Sequence, residues 1–192
     1  MQKIRSLGLL TLMSLTLGLN TTHAQNIIGG QEGYDVQIGN LVGMLEDLKG
    51  RVTQSVQNLD QKETDFLLDD QANRIGALIL HLAATEKYYQ LYTFENRGFN
   101  DSDDPQWNLA LSLGENARGK LIDQPIQYYL DIWNEVRTET KRLLKSKDDA
   151  WLNSMVEGSS MNNHWAWYHV MEHQANHMGQ IRLITKRIPD TF

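Results

Sequence analysis

Two histidines near the C-terminal end, His173 and His177, stand four residues apart in a run that has no Pro and no Gly before Gly179. On a helix that spacing places both imidazoles on one face, with Cβ atoms about 6 Å apart, so both can ligate a single metal ion. The chain has six histidines, and His164 and His169 lie in the same short stretch as this pair. Imidazole nitrogen suits zinc, nickel, iron or copper better than calcium or magnesium. The chemistry to look for is that of a transition-metal centre.

A mononuclear centre needs at least a third protein ligand. His81 sits inside Ile79-Leu80-His81-Leu82-Ala83-Ala84, where an imidazole without a partner is costly to bury. His169 is the competitor, but His169, His173 and His177 span about 12 Å of helical rise, too far for all three to reach one ion. The set His81, His173 and His177 leaves coordination positions open for water or substrate, as catalytic rather than structural sites do. A plainer reading treats the histidines as hydrogen-bonded packing residues. A lone pair at this spacing is common by chance, and the third histidine on another helix is what favours the metal.

Other residues near these positions are weaker candidates for chemistry. Glu172 precedes a ligand, and Glu86 follows His81 by five residues, about 140° round the helix. Each is a candidate general base, and each reads first as a solvated helix face or a partner of a ligand. Asn163, His164, Trp165 and Trp167 mark the entry of the last helix, with Tyr88 and Tyr89 two turns beyond His81. Aromatic residues at such spacings usually pack the core or the bundle end. His169 is placed beside the ligands or on the pocket floor. Asn100 to Asp104 is acidic enough to suggest calcium but lacks the Gly and distal Glu of a calcium loop, so it reads as a solvated turn.

Four long helices must position the histidines. Apolar residues recur with helical period from about Tyr34 to Leu59, at Ile38, Leu41, Val42, Leu45, Leu48, Val52 and Val56. Asp60 with Glu63 forms a capping box for a short turn. A second long helix is expected from Gln71 to Phe94, with one apolar face built by Ile75, Leu78, Ile79, Leu82, Tyr89 and Leu91. Arg97 to Pro105 is a loop, and Trp107 to Leu113 a short helix. The third long helix should start near Pro125, capped by Asp123 or Gln124, and run to Lys145, burying among others Leu143 and Leu144. Asp148 caps a single turn through Trp151 and Leu152. The fourth long helix covers Asn163 to Lys186. Four amphipathic helices in 192 residues most simply make an all-α four-helix bundle, with short helices in long connections and at least one crossover.

The N-terminus has a different character. Lys3 and Arg5 precede an apolar run from Leu7 to Leu19, and Thr22-His23-Ala24 supplies small residues for cleavage. Residues 1–24 therefore read as a secretory signal peptide, too short for a stable membrane span, which predicts a periplasmic or secreted protein. Residues 25–33 are expected to be a flexible segment, and 34–192 the bundle. Removing residues 1–24 takes away Lys3 and Arg5 and no acidic residue, so the formal charge moves from −6 to −8. An acidic chain without a basic cluster is a poor partner for nucleic acid or, once the signal is cleaved, for an anionic membrane. There is no Cys, which excludes disulfides, a protein thiol nucleophile and a lipid-modified cysteine.

The run from Ile75 to Glu86, taken with His173-Gln174-Ala175-Asn176-His177-Met178-Gly179-Gln180-Ile181, resembles the DinB-like (YfiT-like) superfamily of metalloenzymes. Members carry one His on their second helix and a His-x-x-x-His followed by Gly-Gln-Ile or similar on their fourth. The resemblance covers about Tyr34 to Arg187. It implies a four-helix bundle of up-down-down-up order and a divalent ion, often zinc or nickel, on His81, His173 and His177. Iron and manganese remain open. It also implies a thiol-dependent transferase or isomerase, or a metal-dependent hydrolase, acting on an unknown small molecule, and allows a homodimer. Export argues for hydrolysis, because reduced small thiols are scarce outside the cytosol. The alternative is a bundle that binds metal or a small ligand without turnover.

Overall fold

The structure is a computed structural model and describes residues 27–189; the expected signal peptide lies outside the described residues. Among the described residues there are eight helices and no strand, apart from an isolated bridge between Met155 and Asn162. The long helices are α1 (Val36–Val56), α3 (Ile75–Phe94), α6 (Ile126–Leu144) and α8 (Asn163–Thr185). Short helices fill the connections: α2 (Gln61–Thr64), α4 (Pro105–Ser112), α5 (Gly114–Lys120) and α7 (Asp149–Asn153). No described helix is long and apolar enough to cross a membrane.

Helix α3 is the centre of the bundle. It packs against α6, α8 and α4, while α1 packs against α8, α6 and α7. Every residue from Ile75 to Glu86 is buried, so α3 has no solvated face in this stretch and the single-stripe expectation is corrected. A helix that is apolar all round belongs in a core, and Ile-Gly-Ala-Leu-Ile-Leu is such a sequence. Gly76 is required there, because a Cβ at that position would strike the ring of Tyr129 on α6.

Cross-helix pairs define the register. Gly76 meets Tyr129, and Gln90 donates to Val136 and Thr140 further along, so numbers rise together on α3 and α6. On α3 and α8 they run oppositely, from His81 beside His177 to Phe94 beside Trp167. Helix α3 is about 30 Å long, and a chain leaving its end must recover that distance before starting a neighbour that runs the same way. The connection from 95 to 125, with α4 and α5, makes that return.

A buried polar network ties the four long helices together. Glu86 of α3 is fully buried, so the expectation of a solvated face is corrected. Its Oε1 accepts from Arg137 Nε (2.7 Å) and Thr140 Oγ1 (2.6 Å) on α6. Its Oε2 accepts from Arg137 Nη2 (2.9 Å), Trp133 Nε1 (3.1 Å) and, on α8, Gln174 Nε2 (3.0 Å). Arg137 also donates to Glu46 of α1 at 3.0 Å. Burial alone would raise the Glu86 pKa, but the guanidinium and the converging donors hold it below the usual carboxylate range.

Several boundaries follow local chemistry. The Asp60–Glu63 capping box forms as expected, and Asp148 caps α7 through Trp151 N. Helix α3 starts at Ile75 rather than Gln71, because Asp69 accepts from the backbone N–H groups of Gln71 and Ala72 in a turn. Helix α6 starts after Pro125 without a side-chain cap, and neither Asp123 nor Gln124 takes that place. Helix α4 begins at Pro105 behind the Asp104 cap, and α5 was not expected. Leu143 is only partly buried, while Leu144 is in the core. Residues 29–31 lie on α1 where Gly39 and Gly43 leave room; a Cβ on Gly39 would stand 2.8 Å from Gln31 N.

Candidate metal centre

The three histidines of the expected set meet between α3 and α8. One ring nitrogen from each of His81, His173 and His177 lies within 4.8 Å of the other two, and this group could hold a metal ion. His81 is buried, and the other two are partly so. His81 and His177 sit edge to face with ring centroids 4.8 Å apart, and His173 and His177 are 4.4 Å apart. The i, i+4 spacing works as the sequence suggests, because α8 runs unbroken through both residues.

The hydrogen bonds decide which nitrogens are available. His81 Nδ1 lies 2.9 Å from the Ala110 carbonyl of α4; a carbonyl only accepts, so Nδ1 carries the proton and Nε2 presents a lone pair. His177 Nδ1 likewise donates to Gln180 Oε1 at 2.8 Å, one helical turn along α8. Bonds of this kind orient histidine ligands in metal sites. Of the two groups that fix these tautomers, Gln180 belongs to the Gly-Gln-Ile run quoted with the histidine pair, where no role is read for it, and Ala110 is not among the sequence candidates. The spacing of Gln180, three residues after His177, is the signal for its role, whereas Ala110 acts through its backbone and leaves no side-chain signal.

His173 Nε2 lies 2.7 Å from His81 Nε2 and 3.3 Å from Thr85 Oγ1. With a lone pair on His81 Nε2, the proton in the short contact belongs to His173. Two imidazole nitrogens held this close with one proton between them are a natural place for a cation to replace that proton. Burial pushes the His173 pKa down to about 3, and the neighbouring histidines add to the effect. Burial also lowers His81 against the opposing pull of the Ala110 carbonyl, and lowers His177 against Gln180. All three are therefore neutral near pH 7, the form that binds metal. The donor set fits a divalent transition metal.

The other singled-out residues fall outside the cluster. His169 stacks on Trp165 with centroids 5.2 Å apart, touches Tyr89 at 5.9 Å, and has its ring centre 5.8 Å from that of His173. Glu172 is exposed and accepts from Tyr168 OH at 3.1 Å, with His169 Nδ1 at 3.4 Å. His164 is exposed, Trp167 is in the core, and Asn163 is buried with its amide bonded to the carbonyls of Trp151 and Ser154. Tyr88 faces Phe99, which stacks on Trp107. In the acidic loop the Asp103 carboxylate is occupied by Arg97 and by the Asn100 backbone N–H.

No curated protein matches the chain. A family model described as mycothiol-S-transferase matches residues 40–189, a span that includes the three histidines and the polar network joining their helices. By that match the chain belongs to the mycothiol-S-transferase family, within the DinB/YfiT-like superfamily that its two histidine motifs resemble.

Proposed function

We propose that the protein is a metal-dependent thiol S-transferase whose divalent ion, zinc or nickel with iron and manganese as alternatives, is held by His81, His173 and His177. The observation that carries this reading is the convergence of three neutral imidazoles, two of which have Nδ1 already bonded to a carbonyl oxygen. A bound ion there supplies the Lewis acidity that lowers the pKa of a thiol or water. The chain's own residues do the rest. Ala110 and Gln180 fix the tautomers, and burial keeps protons off the ligands. The reaction forms a carbon–sulfur bond to an electrophilic carbon as the leaving group departs with its electron pair, and the thiol proton passes to solvent. Glu86 serves the architecture as the partner of Arg137, and Glu172 orients His169 at the rim.

The up-down-down-up order is supported by the register of α3 with α6 and α8. Export rests on the pattern of residues 1–24, and it favours a second reading in which water replaces the thiol and the reaction is a hydrolysis. Both readings use the same three ligands.

Metal content per chain, measured by inductively coupled plasma mass spectrometry on untagged protein, tests the site. Near-stoichiometric metal that is lost in both His81→Ala and His173→Ala is the expected result. No metal after reconstitution with zinc, nickel, iron and manganese would overturn the reading. Metal that survives His81→Ala but not His173→Ala would move the third ligand to His169 or a carboxylate. Loss of free thiol against a chromogenic aryl halide then separates transfer from ester hydrolysis.

A further inference from the structure

Thr85 lies one helical turn beyond His81 and on the same face of α3. Its side chain is 5% exposed, within the most buried stretch of the chain. Threonines in helices commonly turn the hydroxyl back to the carbonyl four residues earlier. In this chain Thr64, Thr93, Thr138 and Thr185 all do so. Thr85 instead points its hydroxyl into the histidine cluster, 3.3 Å from His173 Nε2.

That contact belongs to the tautomer in which His173 carries its proton on Nε2 and gives it to His81. When the three Nε2 lone pairs are all committed to an ion, His173 Nε2 has nothing left to exchange with Thr85. Whether His173 Nε2 holds its proton or gives its lone pair to an ion, it cannot accept from the hydroxyl, whose own proton stays buried beside the cluster. A buried donor left unsatisfied is costly, and a donor facing an anion is strengthened by the charge. We propose that Thr85 donates a hydrogen bond to the anionic fourth ligand of the centre, the sulfur of a small thiolate, and so sets the affinity for the thiol. This rests on the metal-dependent transferase reading and adds to it a residue outside the three ligands.

The test uses the full chain loaded with cobalt(II), whose thiolate complexes show a near-ultraviolet charge-transfer band. Wild type, Thr85→Val and Thr85→Ser are titrated with 2-mercaptoethanol and, separately, with azide, and cobalt per chain is measured for each. Val keeps the shape of Thr and removes the hydroxyl; Ser keeps the hydroxyl and removes the methyl. The expected result is unchanged cobalt content in all three proteins, thiol dissociation constants raised about tenfold in Thr85→Val, and Thr85→Ser within about twofold of wild type, as the loss of one charge-assisted bond requires. Equal thiol affinity in Thr85→Val and wild type would overturn the proposal. So would a loss of cobalt in Thr85→Val, which would place the hydroxyl with the histidines, or equal weakening in both variants, which would make the effect one of packing. A wild type that takes up cobalt but binds azide alone, more weakly in Thr85→Val, would end the thiol assignment and leave the metal centre standing. A wild type that takes up no cobalt would remove both the proposal and the reading beneath it.

Discussion

At the scale of single residues, the pairing of Glu86 with Arg137 separates two roles that a buried carboxylate near a metal centre can play. If Glu86 is structural, Glu86→Gln should cost about 3–5 kcal/mol, because it leaves the Arg137 charge buried and under-compensated. The double change Glu86→Leu with Arg137→Met should cost much less than the two single changes added together. Urea denaturation followed by circular dichroism measures both. A Glu86→Gln protein of wild-type stability that takes up metal and has lost turnover would instead make this residue the base. The sequence makes the three histidines legible, because the i, i+4 pair and a histidine in an apolar helix are local signals. It hides the state of Glu86, since a glutamate in a helix reads as solvated and its partner Arg137 is 51 residues away. Thr85 is hidden for a similar reason: a threonine's helical position does not say whether its hydroxyl turns inward or back to its own helix.

Among the elements, α3 carries the most constraint, and its glycine is the point at which that constraint can be measured. Gly76→Ala gains about 1 kcal/mol of helix propensity but must push the Tyr129 ring, which is 1% exposed and has nowhere to go. Overpacking of this kind typically costs about 1–3 kcal/mol, so a net loss of thermal stability is expected. Gly50, in the middle of α1, would place a Cβ in open space, and Gly50→Ala should stabilise the protein by about 0.5–1 kcal/mol. Opposite shifts in melting temperature for two identical substitutions are the expected outcome; a stabilised Gly76→Ala would mean that α3 and α6 are not in close contact there. The long helices were legible because their apolar residues recur at the helical period. The start of α3 was not, because the Asp69 turn competes for the same backbone N–H groups. Nor was α5, a short segment between Gly114 and Lys120 whose burial is confined to Ala117.

For the whole molecule, the metal-ready state and the stability of the fold are linked through protons. His81, His173 and His177 all have folded pKa values below the ordinary histidine value, with burial the largest cause in each. Below about pH 6.5 the unfolded chain therefore binds protons that the folded chain refuses, and stability falls as pH falls. The depressed carboxylates of Glu46 and Glu86 act in a lower window. Burial opposes their ionisation, but Lys141 and Arg137 around Glu46, and Arg137 around Glu86, hold both below their usual range. Their contribution is complete above about pH 4.5 and is lost as pH drops through their folded values. Metal-free protein should thus begin to lose melting temperature near pH 6.5 from the histidines, and because the His173 value lies at about 3 this first loss runs on into the carboxylate window. His173→Gln should reduce the slope of that loss, with His81 and His177 supplying what remains, and leave the carboxylate contribution in place. A divalent ion that binds only the folded chain should raise the melting temperature, by an amount equivalent to about 4 kcal/mol at a thousandfold excess over its dissociation constant. This gain should shrink across the same first window as protons compete for the ligands. Thermal melts of apo and loaded protein across pH read all of this in one series. A metal-free melting temperature that is flat from pH 7 to pH 5 would mean that the histidines are not held neutral by burial, and that the centre is not preformed by the fold.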